Sequence, residues 1–341
     1  MATITDVCRL AGVSKATVSR VLNNTGQVKE ATREQVYKAI QELNYRPNSL
    51  AQALATQRSN TIGLILSDFN GNFFGDLLRQ AAQSVELAGK HLIVTDGHDN
   101  PEREIAAINM LVDRCCDAIV LYSRFIPEEK LMEMINELPV PLVVMNRQLP
   151  KAPDRCIVFA QQEAAHAAVT HLLELGHRDI ACITARMHTP TAKARLQGYR
   201  DALADYGIPY NPNLVAHGEN LIPSGYTACQ ELLRGGNKFS ALFCCTDNMA
   251  EGAYRALSEA GLKIPDDVSV FGFDNEQMTA FMTPSLSTVN IPVIDMTKTA
   301  IEQAIKLING ENTFAIPLFH GELVLRESSS PYKHQNNTQS N

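Results

Sequence analysis

The sequence has no tryptophan, and only 6 % of its 341 residues are aromatic. Aromatic stacking in any binding site must therefore come from phenylalanine or tyrosine. No uninterrupted apolar run reaches the ~18 residues that a membrane-spanning helix requires. The first residues also lack a signal-peptide pattern, because Asp6 and Arg9 interrupt their apolar positions. We therefore expect a cytoplasmic protein that makes no contact with a membrane.

The short motifs of common catalytic and nucleotide-binding sites are missing as well. There is no G-x-G-x-x-G after a predicted strand, no G-x-x-x-x-G-K-[ST], no G-x-S-x-G and no H-E-x-x-H. His166, His171 and His177 are spaced five and six residues apart, whereas a helical metal-binding pair needs a spacing of about four. We expect these histidines to lie at the surface or to cap helices, and we predict no enzyme, no metal site and no cofactor.

The eight cysteines do not form a C-x-x-C motif. Most of them lie in apolar stretches such as ALFCC at 241–245, which favours buried free thiols over a redox or metal site. In the adjacent pairs 115–116 and 244–245, the two cysteine side chains would also point to opposite faces of an extended backbone.

Charge is distributed unevenly along the chain. Residues 1–60 carry eight Lys and Arg against four Asp and Glu, a net charge of +4, while the remaining 281 residues carry 22 against 33, or −11. A small basic segment is therefore attached to an acidic remainder. Because a basic surface attracts polyanions, we expect only the N-terminal segment to meet one.

The N-terminal segment is predicted to contain three short helices. The first spans 3–11 with Thr3 as its cap, and Gly12 ends it. Ser14 caps the second helix, and the third runs over about 32–43. Two helices joined by a tight glycine-containing turn and followed by a third are typical of a helix-turn-helix domain. The inner apolar positions are Val7, Leu10, Ala11, Val18, Val21, Leu22, Val36, Ala39, Ile40 and Leu43.

The second helix places small, hydroxylated and basic residues opposite its apolar stripe. These are Lys15, Ala16, Ser19 and Arg20. Small residues let a helix enter the major groove of DNA, hydroxyls bond phosphates, and long basic side chains reach base edges. A solvated pair of amphipathic helices without a nucleic-acid partner remains the alternative, because such patterns also arise by chance.

Beyond residue 60, apolar strands alternate with amphipathic helices. This alternation predicts an α/β body of parallel sheets flanked by helices, with two lobes and a cleft between them. The predicted strands are 61–66, 91–96, 118–122, 142–146, 179–184, 241–245 and 269–273. The predicted helices are 75–89, 101–114, 127–137, 161–176, 192–206, 224–235 and 247–261.

Ligands of open α/β sheets bind beyond the carboxyl ends of the strands. The residues that follow the predicted strands therefore form a candidate sugar site, with polar groups for hydroxyls and rings for CH faces. Each also has an ordinary explanation: Phe73 and Phe74 could pack in the core, and Asp274 could cap a turn. The candidates are Asp68, Phe73, Phe74, Asn146, Arg147, Thr246, Asp247 and Asp274, with Arg195 on the helix after strand 179–184.

Several longer stretches resemble the lac/galactose repressor family of bacterial transcriptional regulators. They include TITDVCRLAGVSKATVSRVLN at 3–23, RLQGYRDAL at 195–203, TDNMAEGAYRALSEAGLKIPDDVSVFGFD at 246–274 and PSLSTVNIP at 284–292. The resemblance is collinear over about residues 2–328. It implies an N-terminal helix-turn-helix domain and a hinge helix, followed by a two-lobed body like that of periplasmic binding proteins.

The resemblance also implies domain limits. The helix-turn-helix domain is expected at 1–46, the hinge helix and linker at 47–59, and the effector-binding and dimerisation body at 60–328. One lobe would comprise about 60–159 and 291–317, and the other about 160–290 and 318–328. Residues 329–341 are expected to be a polar disordered tail without a leucine heptad, so we expect a dimer and no coiled-coil tetramer.

For the DNA-binding segment, the resemblance assigns roles residue by residue. It assigns base readout to Lys15, Ala16, Arg20 and Leu54. It assigns phosphate contacts to Thr3, Ser14, Thr17, Ser19, Asn23, Thr32 and Tyr45. The segment NSLAQALA at 48–55 matches the hinge helix, which folds on the operator beside its dimer mate, with Leu54 as a wedge between base steps. So short a helix is unstable alone, and can therefore act as a switch.

For the body, the resemblance assigns effector contacts to Phe73, Asn146, Phe159, Arg195, Thr246 and Asp274. Two departures from the family pattern weaken any inference from relatives to the identity of the sugar that this protein binds. Relatives often carry Asn or Asp in place of Thr246, and the segment FAQQEAA at 159–165 lacks the Asp and Gly usually found there.

The implied function is repression of a sugar-utilisation operon by a homodimer bound to double-stranded operator DNA. A small carbohydrate of the β-glucoside or galactoside type would bind between the lobes and release the operator. A corepressor-dependent repressor that senses a purine-like or phosphosugar ligand is the alternative. An exported solute receptor fits less well, because it would need an export signal and no DNA-binding domain.

Overall fold

The computed structural model describes residues 2–22, 26–45, 59–67, 69, 72–187 and 189–333. Contacts divide the chain into two compact units, Met1–Ser59 and Asn60–Asn341, which we call the head and the body. Within the described ranges, no helix is long and apolar enough to cross a membrane.

Three helices form the head, and local sequence sets their ends. The Thr3 hydroxyl accepts a hydrogen bond from the Asp6 N–H at 3.4 Å, and the Asp6 carboxylate accepts one from the Thr3 N–H at 2.9 Å. Gly12, at φ 65°, ends the first helix in the left-handed conformation that glycine adopts without strain. The helices are α1 (Ile4–Ala11), α2 (Lys15–Leu22) and α3 (Glu30–Glu42). Their shared core is Val7, Val18, Val21, Val36 and Ala39. This is the predicted helix-turn-helix domain.

The first lobe of the body is built on a parallel five-stranded sheet. Its elements are β1 (Thr61–Leu66), α4 (Asn72–Leu87), β2 (His91–Asp96), α5 (Pro101–Asp113), β3 (Ala118–Tyr122), α6 (Glu128–Glu137), β4 (Leu142–Met145) and β5 (Cys156–Ile157). The strand order is β2-β1-β3-β4-β5. In the central strand Leu64 lies between Val94 and Val120 of its two neighbours. The central strands are buried along their whole length, as expected for a parallel sheet covered on both faces.

The second lobe repeats this architecture with four parallel strands. Its elements are α7 (Gln161–Glu174), β6 (Ile180–Thr184), α8 (Pro190–Asp205), β7 (Val215–His217), α9 (Ile222–Arg234), β8 (Ala241–Cys244), α10 (Asp247–Glu259) and β9 (Ser269–Phe271). The strand order is β7-β6-β8-β9. The seven predicted strands and seven predicted helices of the body are all present, with ends shifted by up to three residues.

After β9 the chain crosses between the lobes. A short antiparallel pair joins β10 (Thr288–Asn290) to β11 (Glu322–Val324). Between them α11 (Val293–Ile308) packs on α4, β3 and β4 of the first lobe. The pattern-based strand prediction omits β5, β7, β10 and β11, because two or three residues are too few to show a period.

The first residues of the predicted C-terminal tail are bonded to the second lobe. The Ser330 carbonyl accepts a hydrogen bond from His177 Nε2 at 3.0 Å, and the Tyr332 N–H donates to the Leu175 carbonyl at 2.8 Å. Residues 329–333 are therefore part of the second lobe, which corrects the predicted start of a disordered tail at 329. His177 is buried under this segment, and its N–H donates to the Leu172 carbonyl at 3.2 Å at the C-terminal end of α7. Of the two predicted places, at the surface or as a helix cap, the structure therefore supports the cap.

Candidate effector cavity and DNA-binding face

A cavity of about 480 Å³ lies in the body, beyond the carboxyl ends of both parallel sheets. It is at the position that the strand-end rule predicts. The first lobe lines it with Phe73, Phe74, Asp99, Tyr122, Arg124 and Asn146. The second lobe lines it with residues that include Thr191, Arg195, Glu219, Leu221, Ile222, Thr246, Asp274 and Glu276.

Most of the predicted effector contacts meet at this cavity. Phe73, Asn146, Arg195, Thr246 and Asp274 all line it. Phe159 does not: its side chain is buried, and its ring lies edge-on to Phe273 with 6.2 Å between the ring centroids. The residue after a strand can point toward the cleft or toward the core, and the sequence alone does not distinguish the two directions.

Several contacts hold Arg195 in the cavity wall. Its Nη2 lies 3.2 Å from Asp274 Oδ1, and its Nε donates to Gln161 Oε1 at 2.8 Å. Its Nη1 donates to the Cys245 carbonyl, and the guanidinium lies 3.7 Å from the centroid of the Phe273 ring. This buried side chain thus joins α8 to the ends of α7, β8 and β9. The structure confines it to one position at the floor of the cleft.

Asp247 and Glu276 form a cluster of carboxyl groups with Asp274, in which Asp247 is buried and the other two are half-buried. Burial raises the pKa of Asp274 to about 6, although the Arg195 guanidinium beside it acts in the opposite direction. Burial, and after it the Asp274 carboxylate, raises the pKa of Asp247 and of Glu276 to about 7. The Thr288 hydroxyl and the Glu276 N–H both donate to Asp247, at 2.6 and 2.8 Å. These three carboxyl groups therefore gain or lose their protons close to neutral pH.

This cluster predicts a pH dependence of the stability of the body. The folded pKa values lie above the ordinary values of 3.8 and 4.5, so the folded state holds protons that the unfolded state releases. The free energy of unfolding should therefore fall as pH rises from about 4 to about 7. Urea unfolding followed by circular dichroism measures this trend. Glu276→Gln should make the free energy of unfolding depend less on pH. An unchanged pH profile in that variant would mean that Glu276 does not cause this dependence.

Hydrogen bonds across the cleft already connect the two lobes. Asn146, at the end of β4, donates through Nδ2 to the Thr191 hydroxyl at 2.9 Å and accepts from Gln161 Nε2 at 3.0 Å. The Phe73 backbone, in the first turn of α4, lies close enough to Glu276 to lower the pKa of its carboxyl group. A molecule that competes for these groups changes the contacts between the lobes.

An aromatic cluster forms the wall on the side of the first lobe. Phe73, Phe74 and Tyr122 pack edge-to-face, with 5.3 to 5.9 Å between ring centroids. Arg124 lies 5.3 Å from the Phe74 centroid and forms an ion pair with Asp99 at 3.3 Å. Sequence reasoning missed Asp99 and Arg124, although both follow predicted strands and the strand-end rule could have found them.

Leu221, Ile222 and Glu219 were also missed. They follow β7, and a three-residue strand leaves no periodic signal to mark what comes after it.

The head presents the predicted polar and basic face. Lys15, Ala16 and Arg20 are exposed on α2, while Val18 and Val21 on its opposite side are buried. The Ser14 hydroxyl accepts from the Thr17 N–H at 3.2 Å and caps α2. Thr3 is exposed, whereas Thr17, Ser19, Thr32 and Tyr45 are half-buried. Asn23, Leu54 and the predicted hinge helix at 48–55 lie outside the described residues.

Comparisons with known proteins match both units. Residues 3–48 match the lacI family of bacterial regulatory proteins, and residues 169–329 match the periplasmic binding protein-like domain. The HTH-type transcriptional regulator AscG of Escherichia coli (strain K12) is 39 % identical over 330 residues, which cover 96 % of this chain and 98 % of that protein.

Two solved structures extend the comparison. The crystal structure of the lac repressor dimer bound to operator and the anti-inducer ONPF has a TM-score of 0.87 at 27 % identity, and the match covers 96 % of this chain and 99 % of that one. The complex of the transcriptional regulator CelR with cellobiose has a TM-score of 0.73 at 30 % identity, and the match covers 96 % and 100 %. Because the relationship extends over nearly the whole chain, this protein belongs to the lacI family of bacterial regulatory proteins and is a DNA-binding regulator of transcription.

Proposed function

We propose that the protein is a cytoplasmic homodimeric repressor of a sugar-utilisation operon, released from its operator by a neutral carbohydrate of the β-glucoside or galactoside type. The heads, at 1–46, would read the two half-sites, and the segment 47–59 would carry the paired hinge helices. Residues 60–328 would bind the effector and the second subunit. The lac repressor bound to operator and CelR bound to cellobiose support both halves of this proposal.

The observation that carries the carbohydrate assignment is the mixed lining of the cavity. Carboxyl, amide, hydroxyl and guanidinium groups stand beside three aromatic rings in a space of about 480 Å³. Sugar hydroxyls pair with such polar groups, and the CH faces of a sugar ring pack on aromatic rings. A purely apolar ligand would remove water from the lining polar groups without replacing its hydrogen bonds, at a cost of about 1–3 kcal/mol for each group left without a partner.

The charges in the lining favour a neutral effector over a phosphorylated one. Asp99, Glu219, Asp274 and Glu276 outnumber Arg124 and Arg195. Each of these arginines already pairs with an aspartate, at 3.3 and 3.2 Å. A phosphate group would meet net negative charge and would have to displace an existing ion pair, so a phosphosugar corepressor is disfavoured.

Occupancy of the cavity can oppose operator binding through the contacts between the lobes. A sugar that bonds to Asn146 replaces the Thr191 hydroxyl, which now accepts the hydrogen bond that bridges the cleft. The resulting change in lobe geometry would disfavour the paired hinge helices. Linkage then requires that the operator weakens effector binding by the same factor as the effector weakens operator binding.

The test is operator binding in the presence of candidate effectors. A palindromic site selected from randomised duplexes is titrated with full-length protein by fluorescence anisotropy, with glycosides, free sugars, phosphosugars and purines added in turn. At least one neutral carbohydrate should weaken binding by roughly 5- to 150-fold, and phosphosugars and purines should have no effect. A response to purines alone would contradict the proposal.

Asp274→Asn is the control for occupancy of the cavity. This variant should bind the operator as the wild-type protein does but should lose the response to carbohydrate. We also propose that the protein is no enzyme: the effective glycoside should be recovered unchanged after incubation, as measured by chromatography.

A further inference from the structure

Three polar residues meet at the amino ends of the first-lobe strands. Asn60, Lys90 and Asp117 directly precede β1, β2 and β3, which are neighbours in the sheet. Lys90 Nζ donates to Asp117 Oδ2 at 3.2 Å and to Asn60 Oδ1 at 3.1 Å. Asn60 Nδ2 donates in turn to the Gly89 carbonyl at 3.3 Å. We call Asn60, Lys90 and Asp117 the anchor. It lies at the amino ends of the strands, whereas the cavity lies beyond their carboxyl ends.

Backbone hydrogen bonds hold the same point of the chain from both sides. The Asn60 carbonyl accepts from the His91 N–H at 2.8 Å, and the Thr61 carbonyl accepts from the Asp117 N–H at 2.8 Å. The residues at which the chain enters the body are thus bonded to β2 on one side and to the start of β3 on the other. Both the side chain and the backbone of Asn60 are therefore fixed.

The backbone of Asn60 turns the chain at this point. Its φ of 59° is in the left-handed region, which asparagine adopts more readily than most other residues with a side chain. The chain before Asn60 therefore does not continue the line of β1. Since the head ends at Ser59 and the body begins at Asn60, this bend sets the direction in which the chain leaves β1 toward the head.

The stability of the sheet does not explain an ion pair at this position. The six residues of β1 are all buried, and the strand pairs with β2 and β3 along its length. The side chains of Lys90 and Asp117 are only 12 % and 3 % exposed, and removing water from two charges offsets much of their mutual attraction. A buried ion pair is thus weak evidence for stability, whereas its strict geometry selects one arrangement of the chain.

We propose that the anchor positions the linker between head and body, so that Asn60, Lys90 and Asp117 determine which spacing of the two operator half-sites the dimer accepts. This inference rests on the proposed dimer and its hinge segment. Between the predicted hinge helix at 48–55 and Asn60 there are only four residues, which span at most about 14 Å when fully extended. A displacement of Asn60 is therefore transmitted to the hinge helix through a short stretch of chain.

The experiment measures operator binding at three half-site spacings. Palindromes built from the selected half-site carry the selected spacing, one base pair less or one base pair more, and each is titrated with full-length protein by fluorescence anisotropy. One base pair turns one half-site by about 34° relative to the other, so the wild-type protein should bind the selected spacing at least about tenfold more tightly than the altered ones.

Two variants loosen the anchor without leaving a charge unpaired. Asn60→Gly removes the side-chain hydrogen bonds and keeps a residue that adopts the observed φ without strain. Lys90→Met/Asp117→Asn replaces the ion pair by two uncharged side chains of similar size. Each should reduce the preference for the selected spacing by about threefold or more, because residue 60 then has further conformations open to it.

Asn100→Gly is the matched control in the same lobe. The Asn100 side chain accepts a hydrogen bond from the Arg103 N–H at 2.9 Å and caps α5, after the carboxyl end of β2. This variant also loses an asparagine side chain and its hydrogen bond, but it should keep the spacing preference of the wild-type protein. Urea unfolding followed by circular dichroism measures the stability of each variant.

The outcomes separate positioning from stability and from the function on which it rests. An anchor variant that unfolds more easily but keeps the wild-type spacing preference overturns the inference, because the three residues would then only stabilise the sheet. An equal loss of affinity at all three spacings also overturns it. Both results leave the proposed repressor intact. If the wild-type protein binds a single half-site as tightly as any palindrome, the proposed dimer is wrong and the positioning role is wrong with it.

Discussion

Replacing Arg195 with alanine is expected to destabilise the body by about 3–5 kcal/mol and to abolish the response to effector. Arg195 is only 6 % exposed and is the ion-pair partner of Asp274, so its removal leaves a buried carboxylate without its counter-charge. The Gln161 side chain and the Cys245 carbonyl lose a donor at the same time. The measurements are urea unfolding followed by circular dichroism and operator titration with the effective glycoside.

The loss of stability should depend on pH. Without the guanidinium, the pKa of Asp274 should rise above its present value of about 6, and protonation then removes the buried charge. The variant should therefore be destabilised most above neutral pH and least in mild acid. A loss that is the same at all pH values would contradict the role of the ion pair.

The double variant Arg195→Ala/Asp274→Asn separates stability from recognition. It carries no unpaired charge, so part of the stability lost in the single variant should return. The response to effector should not return, because both polar groups are needed to hold the sugar. A double variant that responds to glycoside would show that the sugar binds elsewhere.

Arg20→Ala is expected to weaken specific operator binding by about 1–3 kcal/mol per half-site, and therefore by about 2–6 kcal/mol for a dimer. Arg20 is exposed on α2, on the side opposite the buried Val18 and Val21. A long basic side chain there can reach base edges once the helix enters the major groove. Anisotropy titrations with the selected palindrome and with a scrambled duplex measure the effect.

Lys38→Ala provides the matched control for charge. Lys38 is an exposed residue of α3, so this variant removes one positive charge from the same domain. Both variants should lower non-specific binding slightly, through loss of attraction to the phosphates. Only Arg20→Ala should reduce the ratio of specific to non-specific affinity. An equal fall of both affinities in Arg20→Ala would mean that Arg20 contacts phosphate and reads no base.

Local sequence was sufficient for most of the elements that carry a clear period, although α11 was not predicted. The apolar run 61–66 and the amphipathic stretch 101–114 were recognised as a strand and a helix because burial imposes a pattern on neighbouring residues. The Thr3–Asp6 capping box was equally local. The strand-end rule then located the cavity, since parallel strands bring their carboxyl ends to one edge.

Contacts between distant residues were decided by the tertiary structure alone. Arg195 and Asp274 are 79 residues apart, and the bond from Asn146 to Thr191 crosses between the lobes. The direction of Phe159 into the core and the place of Leu221 in the cavity lining depend on short strands at sheet edges, which leave no period in the sequence. The raised pKa values of Asp247, Asp274 and Glu276 also depend on the tertiary structure, because several helices and strands together bury these carboxyl groups.

The sequence by itself thus determined the kind of unit over most of the chain, because propensity, capping and periodicity act between near neighbours; α11 and four short strands were not predicted. Only the tertiary structure decided which side chains share the cavity and which of its arginines are already paired. The cavity lining and its ion pairs arise from close packing and from the exclusion of water. Packing and exclusion of water in turn depend on residues that the fold brings together from the two lobes.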